Sequence, residues 1–233
     1  MAGPTGTTTG MRRCRTAMDE TISKLFAWLS PGYPVGGFTF SHGLEWAVEA
    51  GDVRDRETLA DWVADILEHG AGRTDAVLLA GAWRAERAGD AAALAAVAEL
   101  ADALAPSAER RLEAAALGAA FAEVTAAAWG GGPCPAAYPV AFGQAAARHA
   151  IPLEDAVGLY LQAFAANLVS AAIRLAAVGQ TDGQRVVAAV MPVCAAVAAE
   201  ALGAPLDAIG GCTIRADIAS MRHETQPVRL FRT

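Results

Sequence analysis

Apolar positions along this chain recur at intervals of three and four, and no run alternates apolar with polar, so the pattern predicts helices and no sheet. The clearest helix follows Asp55, where Leu59, Trp62, Val63, Ile66 and Leu67 share one face behind an Asp cap. Shorter helices are expected over residues 21–29, stopped by Ser30-Pro31, and over 43–50, stopped by Gly51. Further along, a helix starts at Thr74 or Asp75 and runs to about residue 88. Asp90 caps an Ala-rich helix that Pro106 ends, and Ser107 caps one reaching Trp129. Residues 130–139 hold three consecutive glycines and three prolines, a break that reads as a hinge between halves or a surface loop. After a short helix, residues 153–178 are apolar nearly all round, as in the middle of a bundle. A helix containing Pro192 ends at Gly203, a short one follows Pro205, and an Arg-bearing tail covers 211–233. The expected fold is all-α: a single-domain helical bundle of about eight to ten helices with a long buried central helix. It would span residues 19–233 behind a disordered leader, 1–18.

Composition supports a packed bundle. Of 233 residues, 54% are apolar and 18% charged; a quarter are Ala, a small helix former. No uncharged apolar run long enough to cross a bilayer is read, since the longest candidate, 186–199, is short and interrupted by Pro192. Arg12, Arg13 and Arg15 are followed by polar residues rather than an apolar signal core. A cytoplasmic protein without membrane contact is therefore expected. The net charge is −7, with the acidic excess in residues 51–210, whereas the segment from Gly211 has four Arg against two acids. Such a balance does not favour nucleic acid. Cys14, Cys134, Cys194 and Cys212 have no paired spacing, which argues for free thiols rather than zinc or redox chemistry.

Candidate chemistry is sparse. Gly32 to Thr39 approaches the phosphate-loop pattern but has Phe38 where Lys must stand. His223-Glu224 begins like a zinc-protease motif, yet Pro227 occupies the second ligand position. Asp61, Asp65 and His69 lie opposite the Leu59/Trp62 stripe and read as a solvated face, and His42 and His149 stand alone. No catalytic residue, metal site or cofactor is expected. Asn167, Ser170 and Arg174 form one polar stripe on the apolar helix, which reads first as a satisfied buried polar network and alternatively as a polar channel wall or an Arg presented to a partner. On that placement in a buried ion pair, Arg174→Ala should cost on the order of 3 kcal/mol.

Three stretches together resemble the UreF family of urease accessory proteins. They are Ser30-Pro31-Gly32-Tyr33-Pro34-Val35-Gly36-Gly37-Phe38 with Ser41-His42-Gly43-Leu44-Glu45, the region from Asn167 to Gln184, and Asp217 to Gln226 closing with Arg229-Leu230-Phe231-Arg232. The sequence departs from the usual family ending, often Tyr-Ser, at Pro227 and Val228. The resemblance implies a homodimeric, non-catalytic chaperone in assembly of the urease nickel centre. It would bridge the GTPase UreG and UreD (also called UreH), which contacts the urease apoprotein, in a complex that couples GTP hydrolysis to nickel delivery, and it would regulate the GTPase. Carried over residue by residue, Arg222, His223, Glu224, Thr225, Gln226, Arg229, Leu230, Phe231 and Arg232 are the expected UreD-facing tail, with Phe231 as anchor. Deletion from Arg222 onward should then abolish UreD co-purification and leave a folded dimer. Ser30, Pro31, Pro34, Gly36, Phe38, Ser41 and Glu45 form the expected loop for the dimer or UreG contact. The absence of clustered His and Cys suits a scaffold that must not trap nickel.

Two other classes fit a helical chain of this length. A dimeric ligand-binding regulator needs a basic DNA-reading helix, whereas residues 19–50 hold one Lys against four acids. A helical lyase or hydrolase needs acids converging inside the bundle.

Overall fold

A computed structural model describes residues 20–132 and 135–232 of the chain. The expected leader and Cys14 and Cys134 lie outside the described residues. Helix α1 covers 20–28. It is followed by α2 (Leu44–Glu49), α3 (Arg56–His69), α4 (Ala71–Ala88), α5 (Ala91–Ala103) and α6 (Ala108–Trp129). The second half contains α7 (Tyr138–Arg148), α8 (Leu153–Arg174), α9 (Gln180–Gly203) and α10 (Ile214–His223). Two single 3-10 turns, Gly37–Thr39 and Leu206–Ala208, complete an all-α fold with no strand among the described residues.

Local chemistry fixes most of these boundaries. Asp55 and Thr58 exchange side-chain and backbone hydrogen bonds in a capping box at α3, and Asp90 and Ser107 cap α5 and α6. Helix α4 begins at Ala71, one residue after α3 ends at His69, and so earlier than Thr74; Gly70 alone turns the chain. Helix α8 stops at Arg174 because Ala176 takes a left-handed conformation, φ 57°. The tail beyond Gly211 begins with a further helix, α10.

The main core runs from Leu25 to Phe231, with a smaller cluster of Leu78, Ala82, Val97 and Val140 beside it. Helix α8 lies within it, packed on α2, α3, α4, α7 and α9. Helix α4 shares the centre: Ala76 to Ala82 are consecutively buried, and it touches α3, α5, α7, α8 and α9. Small side chains let those neighbours approach. Gly143 of α7 meets α4 where an added Cβ would collide with the Leu79 carbonyl. Helices α6 and α7, on either side of the Gly/Pro-rich loop, pack against each other, so that loop joins two neighbours in one core.

The reading that no segment is long enough to cross a membrane needs correction. Three helices, Ala108–Trp129, Leu153–Arg174 and Gln180–Gly203, meet the length and composition of a span. Half of the most apolar window in α8 and a third of those in α6 and α9 are buried inside the protein. For α8 the apolar composition is accounted for by that central packing.

Candidate functional site

The C-terminal tail folds back onto its own chain and is held by carboxylates from α2 and α6. The local sequence explains how. His42 and Gly43 both have positive φ, 60° and 75°, which turns the chain sharply into α2. At Gly43 a Cβ would sit 2.7 Å from the Ser220 amide nitrogen, so only Gly lets α2 and α10 cross this closely. The Ser41 hydroxyl accepts the Glu45 amide at 3.4 Å, and Glu45 enters the interior one turn later.

Glu45 is a hub. Its two carboxylate oxygens accept the backbone amides of Leu230 at 2.6 Å and Phe231 at 2.8 Å, and the second also faces His223 Nε2 at 3.2 Å. His223, with no exposure at all, places Nδ1 2.7 Å from Glu109 of α6. Arg229 donates to the other Glu109 oxygen at 2.9 Å, and Gln226 donates to Glu49 at 2.5 Å. Glu224 accepts the Ala108 amide at 2.9 Å, so the end of α10 also caps α6. The Arg232 amide closes onto the Thr39 carbonyl at 2.8 Å, joining tail and loop.

Behind this latch lies a cavity of about 80 Å³ whose polar wall includes His42, Thr74, Asp75, Arg110 and Asp217. Burial and the Arg110 guanidinium hold the His42 pKa well below its ordinary value, so the ring is neutral. Arg110 contacts Glu113, one turn along α6. Asp75 is only half-buried as a residue because it lines the cavity, yet burial of its carboxylate pushes its pKa up to about 6. Arg110 and the Tyr160 hydroxyl, which donates to it at 2.9 Å, oppose that rise, and Glu113 adds to it. The unfolded chain releases this proton near 3.8 and the folded chain near 6. The native state therefore holds the extra proton between these values, and stability falls as pH rises through the window. Asp75→Asn should raise stability at pH 7.5 by on the order of 2 kcal/mol and flatten the dependence between pH 4 and 6, read from urea melts across that range.

The expected site residues separate into two groups. His223, Gln226 and Phe231 are buried within the chain's own core, as are Ser41 and Glu45. Phe231, the expected anchor in a partner, packs instead in its own molecule, and these buried residues fold the tail back onto the chain. Arg222, Glu224, Thr225, Arg229, Leu230 and Arg232 remain exposed, as do Pro31, Pro34 and Phe38 of the loop, while Ser30 and Gly36 are half-buried. The departure at Pro227 and Val228 falls on the surface. Truncation at Arg222 is also a poor test of binding, because it strips Glu45 and Glu109 of partners inside the protein.

The buried network on α8 is corrected as well. Asn167 is half-buried and Ser170 and Arg174 are exposed. Asn167 and Arg174 grip the loop from outside. Asn167 donates to the Gly37 carbonyl at 3.4 Å, while Arg174 donates to the Phe38 and Ser170 carbonyls and lies 4.4 Å over the Phe231 ring. With no buried ion pair, Arg174→Ala is expected to cost about 1 kcal/mol, seen as a small shift in the thermal melt with faster exchange of tail amides.

Glu49, Asp75, Glu109, Arg110 and Glu113 were not singled out by sequence reasoning. For Glu109, Arg110 and Glu113 the signal was present as charges at the start of an otherwise Ala-rich helix. Asp61, Asp65 and His69 are exposed, and no cluster of three metal-ligating side chains occurs among the described residues. Cys194 is buried, with its thiol pushed up to about 11 by burial, and Cys212 is exposed.

A family model described as UreF matches residues 53–191. Among curated relatives, "Urease accessory protein UreF" of Methylobacterium sp. (strain 4-46) is 55% identical over 218 residues, covering 90% of this chain and 87% of the relative. The proteins of the same name from Rhodopseudomonas palustris (strain BisA53) and Cereibacter sphaeroides (strain KD131 / KCTC 12085) are 50% and 52% identical. They cover 93% of this chain each, and 95% and 100% of the relatives. These matches extend well beyond the family-model segment, and with the helical core they establish that the chain belongs to the UreF family.

Proposed function

We propose that this chain is a non-enzymatic scaffold of urease maturation, a cytoplasmic homodimer that bridges the GTPase UreG and UreD (UreH). Through them it acts on the urease apoprotein while GTP hydrolysis is coupled to nickel insertion. Neither membrane, nucleic acid nor a resident cofactor enters this reading; nickel is cargo. Support comes first from the relatives, each named a urease accessory protein.

The observation that carries the assignment of a surface is the latch. Glu45 and Glu109 hold the tail so that Val228 and Leu230 stand outward, 80% and 66% exposed, while the loop presents Phe38 at 66%. Apolar side chains held outward on fixed backbone, with Arg229, Arg232 and Arg174 exposed in the same tail-and-loop assembly, suit protein recognition. This composite of tail and loop is the UreD-facing contact in this reading. Regulation of the GTPase belongs to the same scaffold role, with hydrolysis performed by UreG.

Mixing the purified chain with UreG and UreD and measuring complex mass with and without GTP and nickel tests the bridge. A ternary species containing all three proteins is expected. Separate binary complexes that never combine would reject it. Leu230→Asp should abolish UreD capture and leave the melt unchanged, because that side chain lies outside the core.

A further inference from the structure

The cavity behind the latch holds more polar groups than the fold itself uses. Ala216, Asp217 and Ser220 of α10 form its roof, and Thr74 and Asp75 of α4 and Arg110 of α6 stand across from them. His42 Nδ1 and Arg110 Nε, on two lining residues that are more than nine-tenths buried, have no hydrogen-bond partner among the described residues. At about 80 Å³ the space has room for water, and polar groups left in this way are the ones that buried water bridges. The charges around Asp75 compensate its carboxylate poorly. Arg110 is the one cation among the lining residues, and it is committed to Glu113 on its own helix. From the other elements come the neutral His42 ring, a single hydrogen bond from Tyr160 of α8, and a second acid, Asp217 of α10. Tyr138 of α7, kept protonated by burial and by the nearby Tyr33 and Asp75, adds no charge.

Of the elements around the cavity, α10 is the easiest to move. Leu79 of α4, Phe121 of α6 and Leu161 of α8 are fully buried in the core, whereas α10 has ten residues, packs chiefly on α2 and α6, and leaves Ile214, Ile218 and Met221 exposed. Its hold on the cavity side is polar. The Ser220 hydroxyl donates to the Ser107 hydroxyl at 2.9 Å, and Asp217 accepts from the Thr213 amide at 3.2 Å and hydroxyl at 3.3 Å. We propose that the cavity is a proton-binding site that sets the seating of α10: a proton on Asp75 keeps the roof closed, and its loss lifts α10 so that water reaches the carboxylate. An uncompensated buried charge is costly, and opening the roof is a nearer escape than unfolding the whole chain. Asp75 releases its proton near 6 under the closed roof and near 3.8 once water reaches it. Closing therefore takes up a proton between these values, so the roof is most stable below the window and loosens as pH rises through it. Burial raises the Asp217 pKa as well, which acts in the same direction. This device is independent of the scaffold role proposed above.

Hydrogen exchange of the full chain, corrected for the intrinsic pH dependence of amide exchange, tests the device by comparing α10 with α4. The α10 amides should exchange ahead of those in α4, and their opening should rise about tenfold from pH 5 to pH 7. Asp75→Asn, whose amide oxygen still accepts from Tyr160, should remove that rise and leave α10 as protected at pH 7 as at pH 5. If α10 exchanges no faster than α4, or opens equally at both pH values while α4 does not, only global unfolding frees Asp75 and the roof is overturned. A rise that survives Asp75→Asn overturns it as well, and its loss in Asp217→Asn would then place the proton on the α10 cap.

Discussion

Glu45→Ala is expected to destabilise the protein by about 4 kcal/mol and release the tail. Three groups depend on this carboxylate: the amides of Leu230 and Phe231, and the His223 ring. The Phe231 amide and His223 are buried, so they lose a partner where water does not replace it, a loss of about 1–3 kcal/mol for each group. His223 would retain only Glu109. For a chain of this size the loss corresponds to a fall in melting temperature of about 8–16 °C. Hydrogen exchange supplies the specific readout: the Leu230 and Phe231 amides should lose protection before the α4 and α7 amides do. If the melt fell but these two amides stayed protected, the hub assignment would be wrong. On the proposed function the same variant loses UreD capture.

Gly143→Ala is expected to cost about 3 kcal/mol, against the direction of helix propensity, which favours Ala by about 1 kcal/mol. The reason is the contact between α7 and α4. The new Cβ falls on the Leu79 carbonyl oxygen and only 3.1 Å from the Leu79 Cα, all of it backbone that no rotamer change can move. Helices α4 and α7 form the most extensive helix pair in the fold, so separating them loosens the core from its centre. Gly158→Ala on α8 is the control, since nothing lies within 4 Å of its added Cβ. That change should stabilise by about 0.5–1 kcal/mol. Chemical denaturation of the two variants side by side checks both signs; equal effects would mean that propensity, and not the interhelical contact, sets the response.

The sequence by itself determined the elements. Caps at Asp55, Asp90 and Ser107 and the three- and four-residue spacing of apolar positions are local interactions, carried by residues within a turn of one another. They marked α3, α5 and α6 correctly, and the motifs from Ser30 to Glu45 and from Asp217 to Arg232 pointed to the UreF family. Only the tertiary structure decided what those motifs do. His223, Gln226 and Phe231 read as a contact arm because a polar, Arg-rich ending has no local reason to be buried. The reason is remote: Glu45 and Glu109 lie more than a hundred residues away in sequence. For α8, periodicity placed Asn167, Ser170 and Arg174 on one stripe, but it cannot tell whether a stripe faces a neighbouring helix or grips a loop from outside. Helical spacing is encoded residue by residue, whereas the burial of a charge depends on partners that only the folded chain brings together.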